Sequence, residues 1–224
     1  MLVDEGPPEA DVAVQLRRLG VTSLSMIVLT HPQRDHVGGA KRVLRELHVG
    51  LVLDPGLPSE SSDERDALAE ARKRRVRIET ARTGEAFRLG ALRLRVLWPD
   101  GAGPPGDDPN NHAVVLVASY GQTDALFTAD AESDVTGHLH LPPVEVLKVA
   151  HHGSEDPGLA EQLKVVQPRV AVISVGAHND YGHPNPTTLA TLNAAPGLAV
   201  YRTDRDGAVV VESDGRRISV HTGR

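Results

Sequence analysis

Three side chains within six residues have the chemistry to hold a divalent metal: His31, Asp35 and His36 in LTHPQRDHVGG, residues 29–39. Imidazole nitrogen and carboxylate oxygen are ligands suited to zinc, manganese and iron. Pro32 and the Gly38-Gly39 pair mark a tight turn, on which the three side chains can converge. The alternative is a strand-to-helix turn whose histidines merely cap backbone groups.

Further polar groups fall where apolar runs end. Asp130 ends an expected strand within FTADAE (127–132), and His151 and His152 end another within LKVAHHGS (147–154). His112 begins an expected strand within NNHAVVL, while His178 and His183 lie in ISVGAHNDYGHPNP (173–186). A carboxylate after a buried run is costly without a partner, and a metal ion is a good one. Side chains leaving strand ends on one rim can meet at a single site. His48, His138, His140 and His221 stand in helical or terminal contexts and read as surface.

The elements that must position these groups follow from periodicity and turn signals. Helices are expected over 9–19, 38–47, 61–74, 159–166 and 187–194, with a weak one over 131–140. The helix at 61 opens with the capping pattern Ser61-x-x-Glu64 and ends in a basic cluster, Arg72 to Arg77. That cluster reads first as a solvated face suited to the helix dipole, and secondarily as a phosphate contact. Strands are expected over 24–30, 50–56, 112–121, 123–130, 144–150 and 169–175, with three short ones to the end. The alternation from Val76 to Val96 reads as successive antiparallel strands, and DGAGPPGDDPNN (100–111) as a loop. Mixed strands and helices in two similar halves predict one α/β domain over residues 1–224: two facing sheets covered outside by helices.

Composition narrows the chemistry. The 224 residues are 40% hydrophobic, enough for a real core, and contain no cysteine. Disulfides, thiolate metal sites and a cysteine nucleophile are therefore excluded. Net charge is −6, which argues against a broad nucleic-acid surface but not against a nuclease whose bound ions supply positive charge. Six aromatic residues argue against an extended base-stacking platform. No apolar run approaches the ~20 residues of a membrane span, and MLVDEGPP lacks the regions of a signal peptide.

On these motifs the chain resembles a metallo-β-lactamase-fold hydrolase. Within that superfamily it is similar to the C-terminal domain of ComEC-type DNA-internalisation competence proteins. The histidine turn resembles the superfamily's H-x-H-x-D-H motif, and FTADAE its TGD-type segment. LKVAHHGS, YGHP (181–184) and YRTDRDGAV (201–209) resemble the competence versions, and the likeness runs from Leu2 to about Val211. It implies an αββα sandwich lacking its first N-terminal strand, and one or two Zn or Mn ions. It implies one ion held by Asp35, His36, Asp130 and either His151 or His152, and a weaker one held by His31, His112 and Asp130. Asp35 would also orient water. His183 would bind a phosphate oxygen or protonate the leaving group, with Ser154 and Asn179 as further phosphate contacts.

The implied substrate is DNA, single-stranded, cut during uptake. The implied partner is a membrane channel domain that this sequence does not contain. The chain would then work at the extracytoplasmic face of a membrane, and otherwise in the cytoplasm. One position departs from the pattern: Gln33 stands where the superfamily has His and the competence group often has Asp, and an amide is a poor ligand. Two other readings stay open: a small ester or lactone hydrolase on the same fold, and a non-catalytic remnant with a degraded metal site.

Overall fold

The computed structural model describes residues 1–56, 61–100 and 108–223. The chain divides into two compact units. The first is Met1–Arg82 with Pro99–Val114, and the second is Thr83–Trp98 with Val115–Arg224.

The first unit contains β1 (Leu2–Val3), α1 (Val12–Arg18), β2 (Ser23–Leu24), β3 (Ile27–Val28), α2 (Arg34–Val37), α3 (Ala40–Glu46), β4 (His48–Val49), β5 (Leu51–Asp54), α4 (Ser62–Lys73) and β6 (Arg77–Thr80). Its main sheet runs β1-β3-β5-β6, parallel throughout. The apolar run over 24–30 is thus two short strands, β2 pairing with β4 and β3 with β1 and β5. Ile27, Leu29 and Val52 pack with Val43 and Leu44 of α3 and Ala67 and Ala71 of α4. Ser61 caps α4 as its sequence pattern requires, its hydroxyl accepting from the Glu64 N–H at 3.4 Å. Arg72, Lys73, Arg74, Arg75 and Arg77 are all exposed.

The alternation over 76–99 splits between the units. β6 joins the parallel sheet of the first, whereas β7 (Ala86–Leu89) and β8 (Leu92–Trp98) form an antiparallel hairpin in the second. Alternation marks which face a residue takes but not which sheet the strand enters. Residues 101–107 of the expected loop lie outside the described residues.

In the second unit follow β9 (Val115–Tyr120), β10 (Thr123–Phe127), α5 (Ser133–Thr136), β11 (Val146–Lys148), α6 (Leu159–Val166), β12 (Val170–Ile173), α7 (Pro186–Ala194), β13 (Ala199–Arg202), α8 (Thr203–Asp206), β14 (Val209–Ser213) and β15 (Ile218–Thr222). Seven strands form one sheet in the order β13-β12-β11-β10-β9-β8-β7, and β14 and β15 pair separately. The four strands β10 to β13 are mutually parallel, so their C-terminal ends share one edge. Leu126, Leu147 and Ile173, one from each of β10, β11 and β12, are fully buried. At roughly 1.5–3 kcal/mol each, they fix the strands whose ends carry Asp130, the His151-His152 pair and the His183 loop. In open sheets that C-terminal edge is where ligands bind.

Candidate metal centre

In the first unit the histidine turn follows β3, beside the end of β1. Asp4, at the end of β1, has a positive φ of 57° and turns its carboxylate toward the neighbouring strand. Asp4 Oδ1 accepts from the Thr30 backbone N–H at 2.9 Å, and Oδ2 accepts from the Thr30 hydroxyl at 2.9 Å. His36 Nδ1–H donates to the same Oδ2 at 2.7 Å. With its proton on Asp4, Thr30 Oγ1 accepts from His31 Nδ1–H at 3.0 Å. One carboxylate therefore sets the tautomer of both imidazoles and directs both Nε2 atoms away from it, the outer support typical of ligand histidines. Burial works to raise the Asp4 pKa. The charge and hydrogen bond of His36, with His31 and Thr30, outweigh it and hold the carboxyl below its usual range.

His31 and His36 are buried, their ring centroids 4.1 Å apart. Asp35 is half exposed, with Oδ2 3.9 Å from His36 Nε2. His112 ends a single turn, Pro109–His112, tied back when the Val114 N–H donates to Thr30 O at 2.9 Å. Gln33 caps α2 through its backbone, its carbonyl accepting from the His36 and Val37 N–H groups at 3.0 Å each. The two glycines serve close approach rather than unusual φ. A Cβ on Gly39 would stand 2.4 Å from Glu5 O.

In the second unit Asp130 is buried at the end of β10, just after Ala129 at φ 49°. Lys148 Nζ donates to Ala129 O at 2.7 Å and lies 3.5 Å from Asp130 Oδ1. His151 and His152 adopt φ values of 45° and 53°, a left-handed pair costly for non-glycine residues. The two rings then diverge. His152 Nδ1–H donates to Ser174 O at 2.7 Å, and its Nε2 lies 3.6 Å from Asp130 Oδ2. Two ligands each ~2.1 Å from a tetrahedral ion are roughly 3.4 Å apart, so this pair fits one ion. His151 Nδ1–H donates instead to Glu132 Oε1 at 2.7 Å, with its Nε2 at 3.9 Å from Asp130 Oδ2.

The Glu132 hydrogen bond raises the His151 pKa against the opposing effect of burial. Burial would raise Glu132 in turn, but His151 and Ser154 hold it down. Ser154 donates its hydroxyl to Glu132. The Asn179 amide donates to Gly176 O at 3.0 Å and His183 O at 2.8 Å, and its oxygen accepts from the His183 N–H at 2.9 Å. Both of these expected phosphate contacts are thus engaged in holding other groups of the site. The His183 ring stands 5.6 Å from that of His151, and burial followed by repulsion from His151 and His152 lowers its pKa. His178 is exposed, as are His48, His138, His140 and His221.

Asp4, Thr30, Glu132 and Lys148 are absent from the residues singled out by sequence. Lys148 had a signal, a cation inside an apolar strand. Asp4 and Glu132 had only their places beside Thr30 and Ser154, which no spacing reveals. The donor chemistry suits a divalent ion in both units: oriented imidazoles, carboxylates and no thiolate.

An α/β fold whose parallel strand ends carry oriented imidazoles and carboxylates is equipped to bind a divalent metal. The chain belongs to the metallo-beta-lactamase superfamily, whose family model matches residues 1–178. Members of that superfamily are in general metal-dependent hydrolases. Among curated proteins it is similar to ComE operon protein 3 of Bacillus subtilis, 33% identical over 195 residues, covering 85% of this chain and 25% of that one. It is also similar to Recombination protein 2 of Haemophilus influenzae, 26% identical, covering 96% and 26%. Competence protein ComA of Neisseria gonorrhoeae is 25% identical, covering 93% and 28%. The chain spans about a quarter of the length of these relatives. Among solved structures, the metallo-beta-lactamase fold protein YhfI of Bacillus subtilis aligns at a TM-score of 0.59 and 10% identity, covering 98% of this chain and 86% of that one. CmlA, a diiron beta-hydroxylase of Streptomyces venezuelae, aligns at 0.56 and 13%, covering 81% and 44%. Both support the fold.

Proposed function

We propose that this chain is a metal-dependent phosphodiesterase that cuts single-stranded DNA in the course of DNA uptake. The observation that carries the hydrolase reading is the oriented donor sets: His31 and His36 aligned through Asp4, and His152 aligned through Ser174 beside buried Asp130. Similarity to a competence protein and a recombination protein over more than nine-tenths of this chain supports DNA as the substrate.

The ligand sets expected from the sequence are kept in this reading, with His152 in place of the open choice between His151 and His152. Zn or Mn bound by them would lower the pKa of a coordinated water to ~7 and stabilise charge on phosphate oxygens. Asp35 orients the attacking water. His183, its loop braced by Asn179, donates to a phosphate oxygen or the leaving group. Association with a membrane channel domain, and a place at the extracytoplasmic face of a membrane, belong to the same proposal. Among the described residues no helix is long and apolar enough to cross a membrane.

The test is cleavage of a labelled single-stranded oligonucleotide by the Mn- or Zn-loaded chain, with Asp130→Asn and a lactone substrate alongside. Cutting that needs metal and Asp130 is expected. Lactone turnover without strand cleavage would replace this reading with a small-molecule hydrolase. Failure to retain any metal would replace it with a non-catalytic module.

A further inference from the structure

Tyr181 is a large aromatic side chain, 83% exposed, in a chain with six aromatic residues in all. Its ring lies nearly parallel to that of His183, centroids 6.0 Å apart and planes 15° from each other. The segment carrying both is tied down at several points. Asn179 bonds Gly176 and both backbone groups of His183. The Asn185 N–H donates to Gly153 O at 2.7 Å, joining the segment to the turn that carries His151 and His152. Tyr181 is thus the outer member of a ring series, Tyr181 to His183 to His151, whose last step is 5.6 Å.

We propose that the outer face of Tyr181 is a stacking site for one unpaired nucleobase of a single-stranded nucleic-acid substrate. The proposal rests on the phosphodiesterase reading and adds a base contact to it. A planar ring on a braced loop, open on one face and stacked on the other, matches the aromatic platforms that hold unstacked bases without reading their identity. The scarcity of aromatics rules out an extended platform and leaves room for this single contact. A base inside a duplex has both faces covered by its stacked neighbours, so the contact favours single strands over duplex.

The test measures binding of a fluorescent ten-nucleotide strand by anisotropy, at low salt and with EDTA present so that no strand is cut. Tyr181→Ser is expected to weaken binding about tenfold, or about 1.4 kcal/mol, and Tyr181→Phe to bind as wild type does. A strand of abasic residues should bind the wild type weakly, with no further loss in Tyr181→Ser. Equal binding by Tyr181→Ser and wild type, an equal loss on the abasic strand, or no binding by wild type overturns the proposal. A metal-loaded chain that cleaves the strand without any dependence on Tyr181 also overturns it and leaves the phosphodiesterase reading in place. Binding that depends on Tyr181 and on bases, without cleavage, does the reverse.

Discussion

Asp4 Oδ2 lies 2.7 Å from His36 Nδ1, and the same oxygen accepts the Thr30 hydroxyl that His31 in turn bonds. Removing this carboxylate unfixes two imidazoles together. Asp4→Ala is therefore expected to weaken metal affinity about 10- to 100-fold, the usual effect of losing such outer support. Asp4→Asn keeps an acceptor but not the charge, and should fall between. Competition with a chromogenic chelator measures both.

His151 and His152 are neighbours in sequence with different partners, Glu132 for one and Ser174 O for the other. His152→Gln should lose bound metal, and His151→Gln should keep it at the wild-type stoichiometry. Elemental mass spectrometry of the two purified variants decides the assignment. The reverse pattern would make His151 the ligand.

Gln33 supplies only its backbone to the start of α2. Gln33→Asp leaves that carbonyl in place and adds a carboxylate to the turn. It should tighten a second ion and raise activity. Unchanged occupancy and rate in Gln33→Asp would show that this position does not limit the site.

Glu5 is fully buried, and its carboxylate oxygens have no hydrogen-bond partner among the described residues. Burial, aided by the nearby Asp4 charge, pushes its pKa well above the usual range. The unfolded chain releases this proton near the ordinary glutamate value while the folded chain holds it. Stability from this group is therefore complete below that value and declines as pH rises toward the folded pKa. Glu5→Gln removes the titration. Its stability relative to wild type should be greater at pH 8 than at pH 5, by about 1.4 kcal/mol for each unit of pKa separation within that window. Urea unfolding at the two pH values measures it.

Much of the fold was legible because its signals are local. The helical spacing over 159–166 matches α6, and Ser61 caps α4 as its pattern requires. The partnership of strands was not local. Val76 to Val96 alternates evenly, yet β6 joins a parallel sheet and β7 and β8 form an antiparallel hairpin. The histidines and Asp130 were visible from their places at the ends of apolar runs. Asp4 and Glu132 were not, because an outer support is defined by the atom it touches. Asp4 is 32 residues from His36, and Glu132 is 19 from His151.

The position of Asp4 just beyond a strand of two residues has a practical side. The short β1 is anchored by the Leu2 N–H to Met26 O and the Asp4 N–H to Val28 O. Deleting residues 1–4, or unpairing β1 from β3, would detach the shared carboxylate. Both buried imidazoles would then lose their orientation, and a change at β1, some thirty residues before His36, would register in a metal titration as damage to the centre.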